Sequence, residues 1–93
     1  MKVRNMESSK GKKVPNQMII TTDTDVYFQS YDTVIARRCL NTGQIYLDKS
    51  KWDYSKTTGI YRNQFLGEGV GETRKKIASG EYLLADLNAE EIK

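Results

Sequence analysis

Between residues 17 and 48 short runs rich in apolar, β-branched and aromatic residues are broken by polar, turn-forming residues, a pattern that predicts β-structure. QMIITT (17–22) and VYFQSY (26–31) flank Asp23-Thr24-Asp25, a polar break suited to a tight turn, so the two runs read as a hairpin. TVIARRCL (33–40) is apolar at Val34, Ile35 and Ala36 in succession and alternates poorly, yet its β-branched residues favour strand over helix. Asn41-Thr42-Gly43 is a reversal signal, because Asn and Gly accept positive φ at little cost. QIYLD (44–48) then places Ile45 and Leu47 on one face and Tyr46 on the other, and is expected to pair back on 33–40.

After Asp48 the pattern changes. Hydroxyl residues at Ser55, Thr57 and Thr58 precede IYRNQFLG, in which Tyr61 and Phe65 are four apart and Gly67 occupies a C-terminal stop position, predicting a short helix over 59–66. ETRKKIAS (72–79) runs from acid to base and ends at Gly80, as the helix dipole and a glycine stop require, predicting a second helix. EYLLADL (81–87) holds a short apolar centre suited to a closing strand, and residues 89–93 read as a fraying helical end capped by the preceding Asn88. These elements predict an α+β fold: an antiparallel sheet of four or five strands with two short helices packed on one face. Ile19, Val26, Phe28, Val34, Ile45, Leu47, Trp52, Phe65, Ile77 and Leu83 are the expected core.

The 93 residues suffice for one domain and not two. The net charge of +3 is placed unevenly: residues 1–13 carry Lys2, Arg4, Lys10, Lys12 and Lys13 against Glu7 alone, whereas the other eighty residues are close to neutral. With three apolar side chains and no periodicity, 1–13 reads as a flexible basic tail ahead of a domain over 14–88 that opens at Val14-Pro15. No apolar run approaches the ~20 residues of a membrane helix and no apolar stretch follows the first cations, so a cytoplasmic, membrane-free protein is expected.

Chemistry is limited by what the chain lacks. One cysteine and no histidine exclude a Cys/His zinc site and a Cys-His nucleophile pair, and no metal or cofactor is expected. Cys39 reads as a small buried hydrophobe. GEGVGE (67–72) has the glycines of a phosphate cradle, but Gly71 is followed by Glu72-Thr73 where a phosphate loop needs Lys-Ser/Thr, and Glu68 and Glu72 repel an anion. The acidic pairs Asp23/Asp25 and Glu90/Glu91 fit a turn and a helix start. Without an activated nucleophile or metal cluster the chain reads as a non-enzyme.

The densest feature is WDYSKTTGIYRNQFLGE (52–68), where aromatic rings interleave with cations. Trp52 and Phe65 are assigned to the core. Tyr54, Lys56, Tyr61, Arg62 and Asn63 are the expected partner-binding residues, with Arg62-Asn63 the exposed pair, since Tyr and Arg dominate protein interfaces. The alternative is nucleic-acid binding, in which Lys2, Arg4, Lys10, Lys12 and Lys13 neutralise phosphates.

YFQSYDTVIA (27–36), QIYLDKSKWDYSKTTGIYRNQFLGE (44–68) and KKIASGEYLLADLN (75–88) together resemble a family of small phage-type proteins of unknown function, whose shared pattern is centred on WDYS, TTG, YRN and FLGE; residues 1–13 lie outside that resemblance. The resemblance implies a short accessory protein of bacterial viruses or prophages, acting in the bacterial cytoplasm, and implies no catalytic residues. The expected function is accordingly to bind and modulate or inhibit a bacterial host protein, such as a defence nuclease.

Overall fold

The computed structural model describes residues 1–88; the expected fraying end over 89–93 lies outside the described residues. The chain forms β1 (Lys2–Glu7), β2 (Lys13–Thr21), β3 (Asp25–Ser30), β4 (Thr33–Cys39), β5 (Ile45–Asp48), α1 (Lys56–Leu66), α2 (Val70–Ser79) and β6 (Tyr82–Ala85). All six strands join one sheet in chain order. The first five run antiparallel as a meander, and the two helices carry the chain across so that β6 lies parallel to β5.

The mixed α+β reading holds, but the sheet has six strands where four or five were expected. The added strand is β1, inside the segment read as a flexible tail. Val3 pairs with Ile20 and Arg4 with Ile19, and the hairpin closes where Ser8 N–H donates to Lys12 O and Gly11 N–H, at φ 79°, returns to Ser8 O. Met6 is 3% exposed in the main core cluster. One well-placed apolar side chain and a row of ladder bonds offset the ordering entropy that composition alone counts against the segment.

Two other hairpins follow the sequence signals. Thr22 N–H donates to Asp25 O across the first, and Cys39 N–H donates to Gln44 O across the second, where Gly43 takes φ 78°. The poor alternation of 33–40 also has a cause: the β3–β4 register slips between Phe28 and Gln29, whose partners are Ala36 and Val34, so that Ile35 is an extra residue and Val34, Ile35 and Ala36 are all buried.

Residues paired across strands share a face. Ile19, Phe28, Ala36 and Leu47 form one transverse row, and Val26, Arg38, Ile45 and Tyr82 the next. Tyr61, Phe65 and Leu66 of α1, Ile77 of α2 and the half-buried Trp52 pack against this cluster. Phe28 and Phe65 stack with ring centroids 5.9 Å apart. Leu83 is not part of the core, contrary to expectation: parallel pairing of Ile45 with Tyr82 turns Tyr82 inward and leaves Leu83 43% exposed beside Tyr46. Cys39 is half-buried at the end of β4, not enclosed. Gln17 is fully buried opposite Ser30 with no partner for its amide among the described residues.

Met6→Ala is expected to cost about 2–5 kcal/mol of unfolding free energy, read from urea denaturation, because it empties a packed site. A tail that contributed nothing to the fold would leave the midpoint unmoved.

Candidate functional site

The WDYS-TTG-YRN string builds a corner of the fold. Ser55 has extended backbone (φ −151°, ψ 159°) and its hydroxyl accepts from Thr58 N–H, which starts α1 three residues before the expected position. Thr58 is fully buried, its hydroxyl 2.9 Å from that of Ser30 on β3. One turn later Arg62 is 1% exposed. Its Nη1 donates to Trp52 O at 2.8 Å and Asp53 Oδ1 at 3.0 Å, its Nη2 donates to Asn63 Oδ1 at 2.9 Å, and its guanidinium lies 5.2 Å from the Trp52 ring centroid. Asp53 also accepts from Arg74 of α2 at 3.0 Å. Gly59, on the preceding turn, lies so near that a Cβ there would sit 3.6 Å from Arg62 Nη2.

Arg62 is therefore not an exposed recognition residue: three acceptors and an indole face surround its charge inside the fold. Asn63 is half-buried with its amide oxygen committed to Arg62, and Tyr61 packs on the core. Of the five residues expected to meet a partner, Tyr54 (with Lys51 Nζ 5.1 Å from its ring centroid) and Lys56 are exposed. The five do not form one surface.

The FLGE end is structural as well. Gly67 takes φ 74° and its N–H closes α1 onto Asn63 O. Glu68 then accepts from Thr73 Oγ1 at 2.6 Å, Lys76 Nζ at 2.7 Å and Tyr82 Oη at 2.9 Å, tying both helices to β6. Burial raises its pKa, but the hydrogen bonds from Lys76, Thr73 and Tyr82 together outweigh burial and hold the carboxyl below its ordinary value. Burial and the bond to Glu68 push the Tyr82 phenol up.

The surface with recognition chemistry is the other face of the sheet. Val3, Ile20, Tyr27, Arg37, Tyr46 and Leu83 stand in register across all six strands. At the centre Arg37 lies 4.6 Å from the Tyr46 ring centroid and its Nε donates to Asp25 Oδ1 at 2.9 Å. The hydrogen bond from the Thr24 hydroxyl, followed by that from Arg37, holds the Asp25 carboxyl below its ordinary range. Beside this row runs a groove of about 450 Å³ lined by Met1, Ile20, Tyr27, Val34, Arg37 and Leu87, among others. Its wall is fixed by a clip: Asn88 exchanges two hydrogen bonds with the Val34 backbone and donates to Asp48, which also accepts from the N–H groups of Ser50, Lys51 and Leu87. The signal for this face was strand geometry, in which successive side chains point to opposite sides of the sheet. Registering the hairpins at 23–25 and 41–43 puts Ile20, Tyr27 and Tyr46 on the side opposite Ile19, Phe28 and Leu47.

The basic residues of 1–13 are exposed, with Lys2 and Arg4 on β1, Lys10 and Lys12 in the turn and Lys13 opening β2. They belong to a paired ribbon and not to a loose arm. Among the described residues no group of three or more His, Cys, Asp or Glu is arranged to hold a metal ion, and no helix is long and apolar enough to cross a membrane.

In comparison with known proteins, the model of a family described as being of unknown function (DUF8033) matches residues 1–82, and so includes the segment that the resemblance drawn from motifs had left out. No curated protein and no solved structure matches the chain.

Arg62→Ala is expected to cost on the order of 3 kcal/mol by denaturation, since it removes charge-assisted bonds and a cation–π contact at a buried position. Gly59→Ala is expected to gain up to about 1 kcal/mol of helix propensity, because the added methyl meets Arg62 at ordinary contact distance. The lowered carboxyls of Glu68 and Asp25 contribute stability that is fully present above their unfolded-state pKa of about 4 and lost as pH falls through their folded values. Glu68→Gln is therefore expected to be less stable than the parent at neutral pH, with the difference in urea midpoint closing toward about pH 3.

Proposed function

We propose that this chain, which belongs to the family of unknown function DUF8033, is a non-enzymatic accessory protein that binds and modulates a bacterial protein through the uncovered face of its sheet. The observation that carries this reading is the row Val3–Ile20–Tyr27–Arg37–Tyr46–Leu83, apolar at both ends with an aromatic and arginine centre. Tyr loses little side-chain entropy on binding, and Tyr and Arg are enriched among the residues that dominate binding energy at protein interfaces. Charge separates the two kinds of partner. Arg37 is matched by Asp25 at 2.9 Å, and Asp86 also lines the groove, so this face offers a phosphate backbone no excess of cations. A protein surface with apolar side chains to bury fits better.

The phage-type pattern of WDYS, TTG, YRN and FLGE supports a bacterial partner, an anti-defence role such as nuclease inhibition, and action in the bacterial cytoplasm. A second reading stays in view because the basic residues Lys2, Arg4, Lys10, Lys12 and Lys13 stand on a β-ribbon, which can lie along a phosphate backbone. On either reading no cofactor is involved.

Capture from nuclease-treated bacterial lysate with the full-length protein tests the first reading. Tyr27→Ala and Leu83→Asp are expected to abolish capture while Tyr54→Ala and Lys56→Ala keep it, and the complex is expected to persist as salt is raised to about 0.5 M. Capture that survives Tyr27→Ala and Leu83→Asp counts against the sheet face. Loss of binding with salt and on Lys10→Gln/Lys12→Gln/Lys13→Gln selects the nucleic-acid reading. These charge substitutions replace deletion of residues 1–13, which would also remove β1 and Met6.

A further inference from the structure

On the helical side of the sheet, where α1 ends, lies a second cavity of about 200 Å³ lined by Arg4, Met6, Ile19, Val26, Arg38, Gln64 and Phe65. Two arginines from strands that are not neighbours meet here. Arg4 stands on β1 paired with Ile19, and Arg38 stands on β4 in the same transverse row as Val26, Thr21 and Lys2. Both line the cavity together with the apolar side chains of Met6, Ile19, Val26 and Phe65.

Neither arginine has an ion-pair partner among the described residues, in contrast to Arg37, Arg62 and Arg74, each of which faces an aspartate. Arg38 is held in place all the same: its guanidinium lies 4.8 Å from the Phe65 ring centroid and its Nη2 donates to Phe65 O at 3.3 Å. A guanidinium stacked on a ring and anchored at one nitrogen keeps its other N–H groups aimed and loses little entropy when an anion arrives. No carboxylate lines the cavity, and Lys2 adds positive charge on the same face.

We propose that this cavity binds a phosphate monoester, its dianion bridged by Arg4 and Arg38 and its apolar or aromatic body lying against Val26. The charge of two guanidiniums matches a dianion better than a single carboxylate, and the apolar side chains among the lining give a nucleoside-like body more to contact than free phosphate has. This site is on the opposite side of the sheet from the groove and does not rest on the function proposed for that face.

The test is a titration of the full-length protein with adenosine 5′-monophosphate, inorganic phosphate and adenosine, followed by calorimetry and by backbone and arginine side-chain NMR. The nucleotide is expected to bind saturably and more tightly than phosphate, adenosine is expected not to bind, and shifts are expected at Arg4, Val26, Arg38 and Phe65. Arg4→Gln and Arg38→Gln are each expected to weaken nucleotide binding at least about tenfold, and Arg38→Lys, which keeps charge but loses the planar fork, to weaken it too. Should Arg38→Gln disturb the packing of Phe65, the exposed Arg4→Gln, whose melting temperature is expected to equal the parent's, decides the matter. The proposal is overturned by absence of saturation, by nucleotide and phosphate binding equally, by undiminished binding to Arg4→Gln, or by shifts centred on Lys10, Lys12 and Lys13.

Discussion

The guanidinium of Arg62 is the point on which the second half of the molecule turns. A charge taken almost wholly out of water is tolerated only where it is well paired, and here the Trp52 carbonyl, Asp53 and Asn63 accept from the two Nη atoms while the Trp52 ring covers one face, Nε alone having no partner among the described residues. Fixing those partners fixes the loop between β5 and α1, and Asp53 passes the constraint to α2 through Arg74. Glu68 completes the arrangement at the far end of α1 by bonding Thr73, Lys76 and Tyr82. Two polar hubs thus set where β6 arrives. The groove, lined by Ala85, Asp86 and Leu87 on one side, inherits its shape from that placement.

The division of labour between the two faces follows. On the helical side the rings of Phe28, Phe65 and Tyr82 and the aliphatic residues of β2 to β5 are consumed in packing. Its margin, beyond the end of α1, keeps Arg4 and Arg38 over apolar residues. On the other side the rings of Tyr27 and Tyr46 flank an arginine whose charge is internally balanced. The same residue types serve as structure on one side and as contact surface on the other, and register alone decides which.

Much of the fold was legible because hairpins and helix ends are local events. Asn41-Thr42-Gly43, Ser55, Gly67 and Gly80 each act on their own few neighbours, and the elements they bound appear within a few residues of expectation. What stayed hidden was set by distant partners. Composition marks residues 1–13 as unable to fold alone, which is true of an isolated segment and false of one beside an open strand edge. The aromatic and cationic run at 52–68 looks like a recognition surface for a similar reason. A buried, paired arginine and an exposed one are the same letter, and only the positions of Trp52, Asp53 and Gly59 around α1 tell them apart. The phase of β6 was equally undetermined, since EYLLADL offers apolar residues to both faces and the choice of Tyr82 over Leu83 depends on Glu68 being within reach of a hydroxyl.

The topology has a kinetic side. Strands β1 to β5 join through short turns, so each ladder closes a small loop and can zip from the one before it at little entropic cost. The pairing of β6 with β5 spans the whole crossover, and the bonds of Asn88 to Val34 span more than half the chain. These contacts have a high closure cost and form on a meander that already exists. Since the last segment to dock also forms one wall of the groove, the order of assembly leaves that recess unformed until folding is nearly complete, and a chain still emerging from the ribosome would carry the sheet before it carried the pocket.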